Sequence, residues 1–123
     1  MNNEQQTTNT QQQFLEREKK FLALRKSLHE QFGKAPDMNA MLFLIGVREL
    51  GKIQDSFTKE EKQDLMHIAT CRLLSDQGYF SLEGLDDEGW PHWVQTKKIP
   101  VMTIEEQEDL LKECIINYFE RLD

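Results

Sequence analysis

Between Gly78 and Pro100 the chain reads GYFSLEGLDDEGWPHWVQTKKIP. Three consecutive acids, Asp86, Asp87 and Glu88, stand close to His92 and beside both tryptophans, Trp90 and Trp93. Carboxylates next to an imidazole are the raw material of general acid–base chemistry, which also needs a pocket and a shifted pKa that spacing alone does not supply. Asp86-x-Glu88-Gly89 matches part of a calcium loop, but Trp90-Pro91 follow where further oxygen ligands would have to stand. The combination suits recognition better. Aromatic anchors dominate interface energetics, and an acidic rim is complementary to a basic protein partner. Packing is the simpler reading of the apolar members: Phe80, Leu82, Trp90 and Trp93 can pin the segment to its own domain, with the indole N–H groups at the rim, and both readings can hold for different residues. Packing explains the acids least.

A second set of candidates lies upstream. Asp64-x-x-His67 is half of the carboxylate–histidine pattern of di-iron bundles, which need it twice together with further inward glutamates. His67 and Cys71 are at i, i+4, a spacing that suits a transition metal, but two ligands make an incomplete site. An exposed, unliganded His67 is the simpler reading, and no metal or other cofactor is expected. Cys71 and Cys114 occur singly inside helical patterns, which rules out a disulfide framework or a zinc motif, and neither has a nucleophile signature beside it. Cys114 reads as a small buried hydrophobe. No glycine-rich phosphate loop or serine elbow is present.

The elements that would position these residues are helical. Residues 1–13, almost wholly Asn, Gln and Thr, hold too little apolar surface to offset their ordering entropy and are expected to form a disordered tail. The rest, 14–123, reads as one helical domain. Its first helix runs from Phe14 to about Phe32, with Phe14, Phe21, Leu24, Leu28 and Phe32 on one face and Gly33 as the stop. Asp37 caps a second helix over about Met38 to Gln54, apolar nearly all round in its first half and so the central one. The alternative for its apolar surface is a homodimer contact. Thr58-Lys-Glu-Glu61 is a capping box that opens a third helix, which ends near Asp76–Gln77. Within its apolar stripe, Arg72 must either reach outward or pair with a carboxylate. A second box, Thr103-Ile-Glu-Glu106, opens a fourth helix whose face is Ile104, Leu111, Cys114, Ile115, Tyr118, Phe119 and Leu122.

The fold class expected is therefore all-α: a compact four-helix bundle with a long aromatic-rich connection between helices 3 and 4. That connection has partial period-two character over Tyr79–Glu83, and a small hairpin is open to it. Pro91 restricts any returning strand to an edge or denies it altogether.

Charge narrows the partners. The net charge is −7, with 22 acids against 15 bases. Nucleic acid is disfavoured because binding its backbone requires a clustered basic face. The charge is also uneven: residues 14–34 carry six bases against three acids, and residues 101–123 carry seven acids against two bases. Side-by-side packing of the first and last helices accounts for this more simply than two separate binding patches. No apolar run approaches the roughly 18 residues of a membrane span, the first residues lack the basic and apolar regions of a signal peptide, and a cytoplasmic location is expected. The expected function is a small protein-interaction module (adaptor, accessory subunit or regulator) without catalytic activity. Its contacts would be Asp86, Asp87, Glu88, Trp90, His92 and Trp93. The alternative is a small-ligand or metal-binding helical protein using His67 and Cys71.

Overall fold

A computed structural model describes the backbone of residues 2–52 and 54–122, and side chains from Gln11 onward except that of Phe32. Four helices and one hairpin follow in the order α1 (Asn2–Phe32), α2 (Met38–Leu50), α3 (Lys59–Ser75), β1 (Phe80–Leu85), β2 (Pro91–Gln95) and α4 (Ile104–Arg121). Local chemistry sets most of the boundaries. Asp37 accepts from the Ala40 N–H at 2.8 Å at the start of α2. Both capping boxes are formed: Thr58 Oγ1 accepts from the Glu61 N–H at 3.1 Å, and Thr103 Oγ1 from the Glu106 N–H at 3.1 Å, with each glutamate returning the bond. Each cap is worth about 1 kcal/mol.

Two boundaries differ from the sequence reading. Helix α2 stops at Leu50 and not near Gln54, because Gly51 takes a left-handed conformation and returns its N–H to the Val47 carbonyl at 3.1 Å. Helix α1 starts at Asn2 and not at Phe14. The expected tail falls largely on residues 1–10, whose side chains lie outside the described residues, as does the Phe32 side chain expected on the inner face of α1.

All four helices contribute to the main core: Phe21 and Leu28 from α1, Met41, Leu42 and Ile45 from α2, Ala69 and Leu73 from α3, and Cys114, Ile115, Ile116 and Tyr118 from α4. Burying a large member fully contributes roughly 1.5–3 kcal/mol. Helix α2 is central in that it also builds a second cluster, in which its Leu50 packs with Leu65 and Ile68 of α3. The two helices meet closely at Gly46, where a Cβ would stand 2.9 Å from the Leu65 Cβ and closer still to its carbonyl. On α4 the expected face is shifted at its ends: Ile104 is 75% exposed, Leu122 is exposed as well, and Ile116 is buried instead.

The charge asymmetry is resolved as a seam. Arg17 pairs with Asp109 at 3.2 Å, Lys20 with Glu120 at 3.5 Å and Lys112 with Glu18 at 3.3 Å, all between α1 and α4. Arg72 pairs with Glu49 of α2 at 3.1 Å and with Asp76 at 3.2 Å, the latter also held by Arg121 at 3.0 Å. The Tyr118 hydroxyl donates to Glu49 at 2.9 Å, and burial, reinforced by that carboxylate, pushes its pKa well above the ordinary tyrosine value.

The all-α expectation is corrected by the segment between α3 and α4, which is an antiparallel strand pair. Pro91 does not prevent it. It occupies the first position of β2 in a two-stranded sheet, where each strand has a free edge and a missing N–H costs no ladder bond. The pairing runs Phe80 with Gln95, Ser81 with Val94 and Leu82 with Trp93, then shifts by a bulge so that Gly84 faces His92 and Leu85 faces Pro91. Gly84 has φ +154°, a conformation that L side chains rarely adopt, and the extra residue carries Leu85 to the same face as Leu82. The base of the hairpin is tied down by Thr96 Oγ1 donating to the Gly78 carbonyl at 2.9 Å and Lys97 Nζ to that of Gln77 at 3.1 Å. Both strands pack against α3.

Candidate functional site

Where the hairpin lies on α3 it leaves a cleft of about 410 Å³, lined by Glu61, Asp64, His67 and Ile68 on the helix and by Asp86, Glu88, Trp90, Pro91, His92 and Trp93 on the hairpin. The helical wall follows from periodicity: residues 61, 64 and 68 recur on one face, with His67 beside them. The hairpin wall follows from the turn. Asp86 Oδ1 accepts from the N–H groups of Glu88 and Trp90, each at 2.9 Å, while the Asp86 carbonyl accepts from Gly89 at 2.9 Å. Its second oxygen, Oδ2, lies 3.0 Å from His92 Nε2, which donates to it. The His92 hydrogen bond first, and the Trp90 N–H second, hold the Asp86 carboxyl below the usual aspartate range. One carboxylate thus fixes the turn, the start of β2 and the His92 ring.

The two indoles are each half-buried. Trp90 packs against the second cluster beside Leu50, Leu65 and Ile68. Trp93 Nε1 is buried and finds no acceptor among the described residues. Five of the six residues expected to make contacts, Asp86, Glu88, Trp90, His92 and Trp93, line the cleft, whereas Asp87 is exposed on the turn outside it. Glu61 and Asp64 were not expected to share a site with the tryptophans. The available signal was their common helical face with Ile68.

Among the described residues, no Lys or Arg forms an ion pair with Glu61, Asp64, Asp86 or Glu88. Glu61 is engaged by its cap, through the Thr58 N–H at 2.8 Å, and Asp86 by the turn. Lys52 passes over Gly89, with its Cε 3.0 Å from where a Cβ would stand, but pairs with none of these acids.

The upstream pair behaves differently. His67 Nε2 lies 3.5 Å from Cys71 Sγ, and His67 is on the cleft wall. Cys71 is fully buried, and desolvation pushes its thiol up to about 11, away from the thiolate that a metal or an electrophile requires. Among the described residues, no group of three or more His, Cys, Asp or Glu donors is placed so that it could hold a metal ion. The cleft lining contains imidazole and carboxylate but no hydroxyl, thiol or amine. Its lining is anionic and aromatic-walled. No helix among the described residues is long and apolar enough to cross a membrane. No family model, curated protein or solved structure matches the chain.

Proposed function

We propose that the protein is a small cytoplasmic protein-interaction module, an adaptor, accessory subunit or regulator without catalytic activity, that binds a basic partner at the cleft between α3 and the hairpin. The observation that carries this reading is the gathering of Asp64, Asp86, Glu88, Trp90 and Trp93 around one open cavity in which, among the described residues, no Lys or Arg pairs with an acid. Half-buried aromatic walls supply contact area that loses its water on binding, and unpaired carboxylates at the rim steer and orient a partner of opposite charge. Two buried, separate free cysteines fit a reducing compartment.

The test uses the full chain as bait beside an Asp64→Lys/Glu88→Lys variant, both residues being exposed. A protein retained by wild type and lost by the variant is then purified and titrated against the bait while tryptophan emission is followed. Retention by wild type alone together with an emission change supports the reading. Equal retention by both baits, or binding that leaves the emission untouched, overturns it.

A further inference from the structure

Four other aromatic rings of this chain carry a cation of its own. Arg17 lies 5.2 Å from the Phe14 centroid, Arg72 5.6 Å from Tyr118, Lys97 4.5 Å from Tyr79 and Lys112 5.3 Å from Phe21. Indole is the best cation–π acceptor of the aromatic side chains. Yet neither Trp90 nor Trp93 holds a cation among the described residues, although both stand beside carboxylates that no Lys or Arg neutralises. At the contacts between helices, by comparison, five acids, Glu18, Glu49, Asp76, Asp109 and Glu120, have a Lys or Arg partner. In the cleft, among the described residues, two indoles and the carboxylates of Asp64 and Glu88 stand together with no Lys or Arg on any of them.

Resting on the reading above, we infer that the cleft is a receptor for a single arginine side chain presented by a peptide segment of the partner protein. The guanidinium stacks against the indole walls and donates to Asp64 on the helix and Glu88 on the turn. Arginine fits better than lysine for three physical reasons. A planar cation can lie flat on an indole. Its five N–H donors form a rigid fork that can serve acids on two walls at once. It is also more weakly hydrated than an ammonium, so it enters a partly desolvated cleft at lower cost. Side-chain volume agrees, since a cavity of about 410 Å³ is at the small end of ligand sites and suits one long side chain better than a folded element.

The experiment follows the two indole N–H signals by NMR in the full-length protein. It uses the capped tripeptides Gly-Arg-Gly, Gly-Lys-Gly and Gly-citrulline-Gly, together with free arginine. Gly-Arg-Gly is expected to shift both signals saturably and Gly-Lys-Gly more weakly, while neutral citrulline, nearly the same shape, leaves them in place. The Asp64→Lys/Glu88→Lys variant is expected to lose at least about tenfold in affinity, because like charges now face the guanidinium. Its unchanged indole positions without peptide report an intact fold, and Glu88→Gln, which removes charge without adding any, is expected to lose less. Equal binding of citrulline, lysine binding as tightly as arginine, or no shift with Gly-Arg-Gly would each overturn the inference. Free arginine binding as tightly as the peptide would overturn the assignment to a partner's segment in favour of the free amino acid. If a captured protein partner moves the indole signals and Gly-Arg-Gly does not, the arginine assignment fails while the interaction reading stands. If the partner does not move them either, the reading itself fails.

Discussion

Along the seam between α1 and α4, and in the polar cluster around Arg72, acids meet bases and rings meet cations: Arg17 with Asp109, Lys112 with Glu18 and Phe21, Arg72 with Glu49 and Tyr118. In the cleft between α3 and the hairpin, the same chemical types are arranged differently. Acids line both walls and two indoles stand between them, but the side-chain partner of Asp86 is an imidazole, His92 at 3.0 Å, and among the described residues no Lys or Arg pairs with any of the four acids. An exposed ion pair is worth about 0–1 kcal/mol, so leaving acids unmatched in the cleft costs the fold little in stability and leaves a strong local field. The two regions separate two tasks: one finishes the fold's own electrostatics, and the other is left open at the surface.

The largest expected effect lies in the core behind the seam. Ile115 is fully buried among residues of all four helices, and Ile115→Ala is expected to cost about 2–5 kcal/mol in urea unfolding. If that substitution were to shift the indole signals more than it lowers stability, the division between a structural and an open region would break down. A smaller effect is expected at Arg72. Arg72→Met leaves Glu49 with only the Tyr118 hydroxyl and Asp76 with only Arg121, both carboxylates being partly buried. A loss of about 1–3 kcal/mol is expected from partners stripped of a charged hydrogen bond, with Gly-Arg-Gly binding at the cleft unchanged. A wild-type midpoint would show that the seam and the cleft are alike in contributing nothing.

How much of this could be read in the residues depends on the range of the interactions involved. The starts of α3 and α4 are local: Thr58 with Glu61 and Thr103 with Glu106 encode a cap within four residues, and the structure places both there. The end of α2 is also local: the left-handed Gly51 stops the helix at Leu50, short of the expected Gln54. The hairpin was half legible. Alternation over Tyr79–Glu83 pointed to a strand, while Pro91 and the bulge at Gly84 disguised the pairing, and both are tolerated only because this sheet has two free edges. Ile104 and Leu122 look inward on a helical wheel, yet both are exposed near the ends of α4, and no wheel carries that information. For the cleft, composition revealed the hairpin wall and missed the helical one. Glu61 was read as a cap and Asp64 as a fragment of a metal pattern, since nothing in the sequence says which helix the hairpin lies on.

The smallest effect tests the cleft's own manner of holding its acids. Asp86 is fixed by a side-chain hydrogen bond from His92 and then by the backbone N–H groups of Trp90 and Glu88. These favour the carboxylate, so the folded-state pKa lies below the ordinary aspartate value of about 3.9. The sign follows from linkage: the contribution of Asp86 is fully present above that ordinary value and is lost as pH falls through the lowered folded value. The Trp90 amide is therefore expected to titrate with a midpoint below about 3.9, while the Ile115 methyl signals stay native. Asp86→Asn should remove the step, and His92→Phe, which deletes the leading cause, should move the midpoint upward. Had the turn been locked by a permanent cation, as Asp76 is by Arg72 and Arg121, replacing His92 would leave that midpoint where it was. A midpoint unmoved by His92→Phe would therefore place an unrecognised cation at the turn and erase the contrast between the two regions.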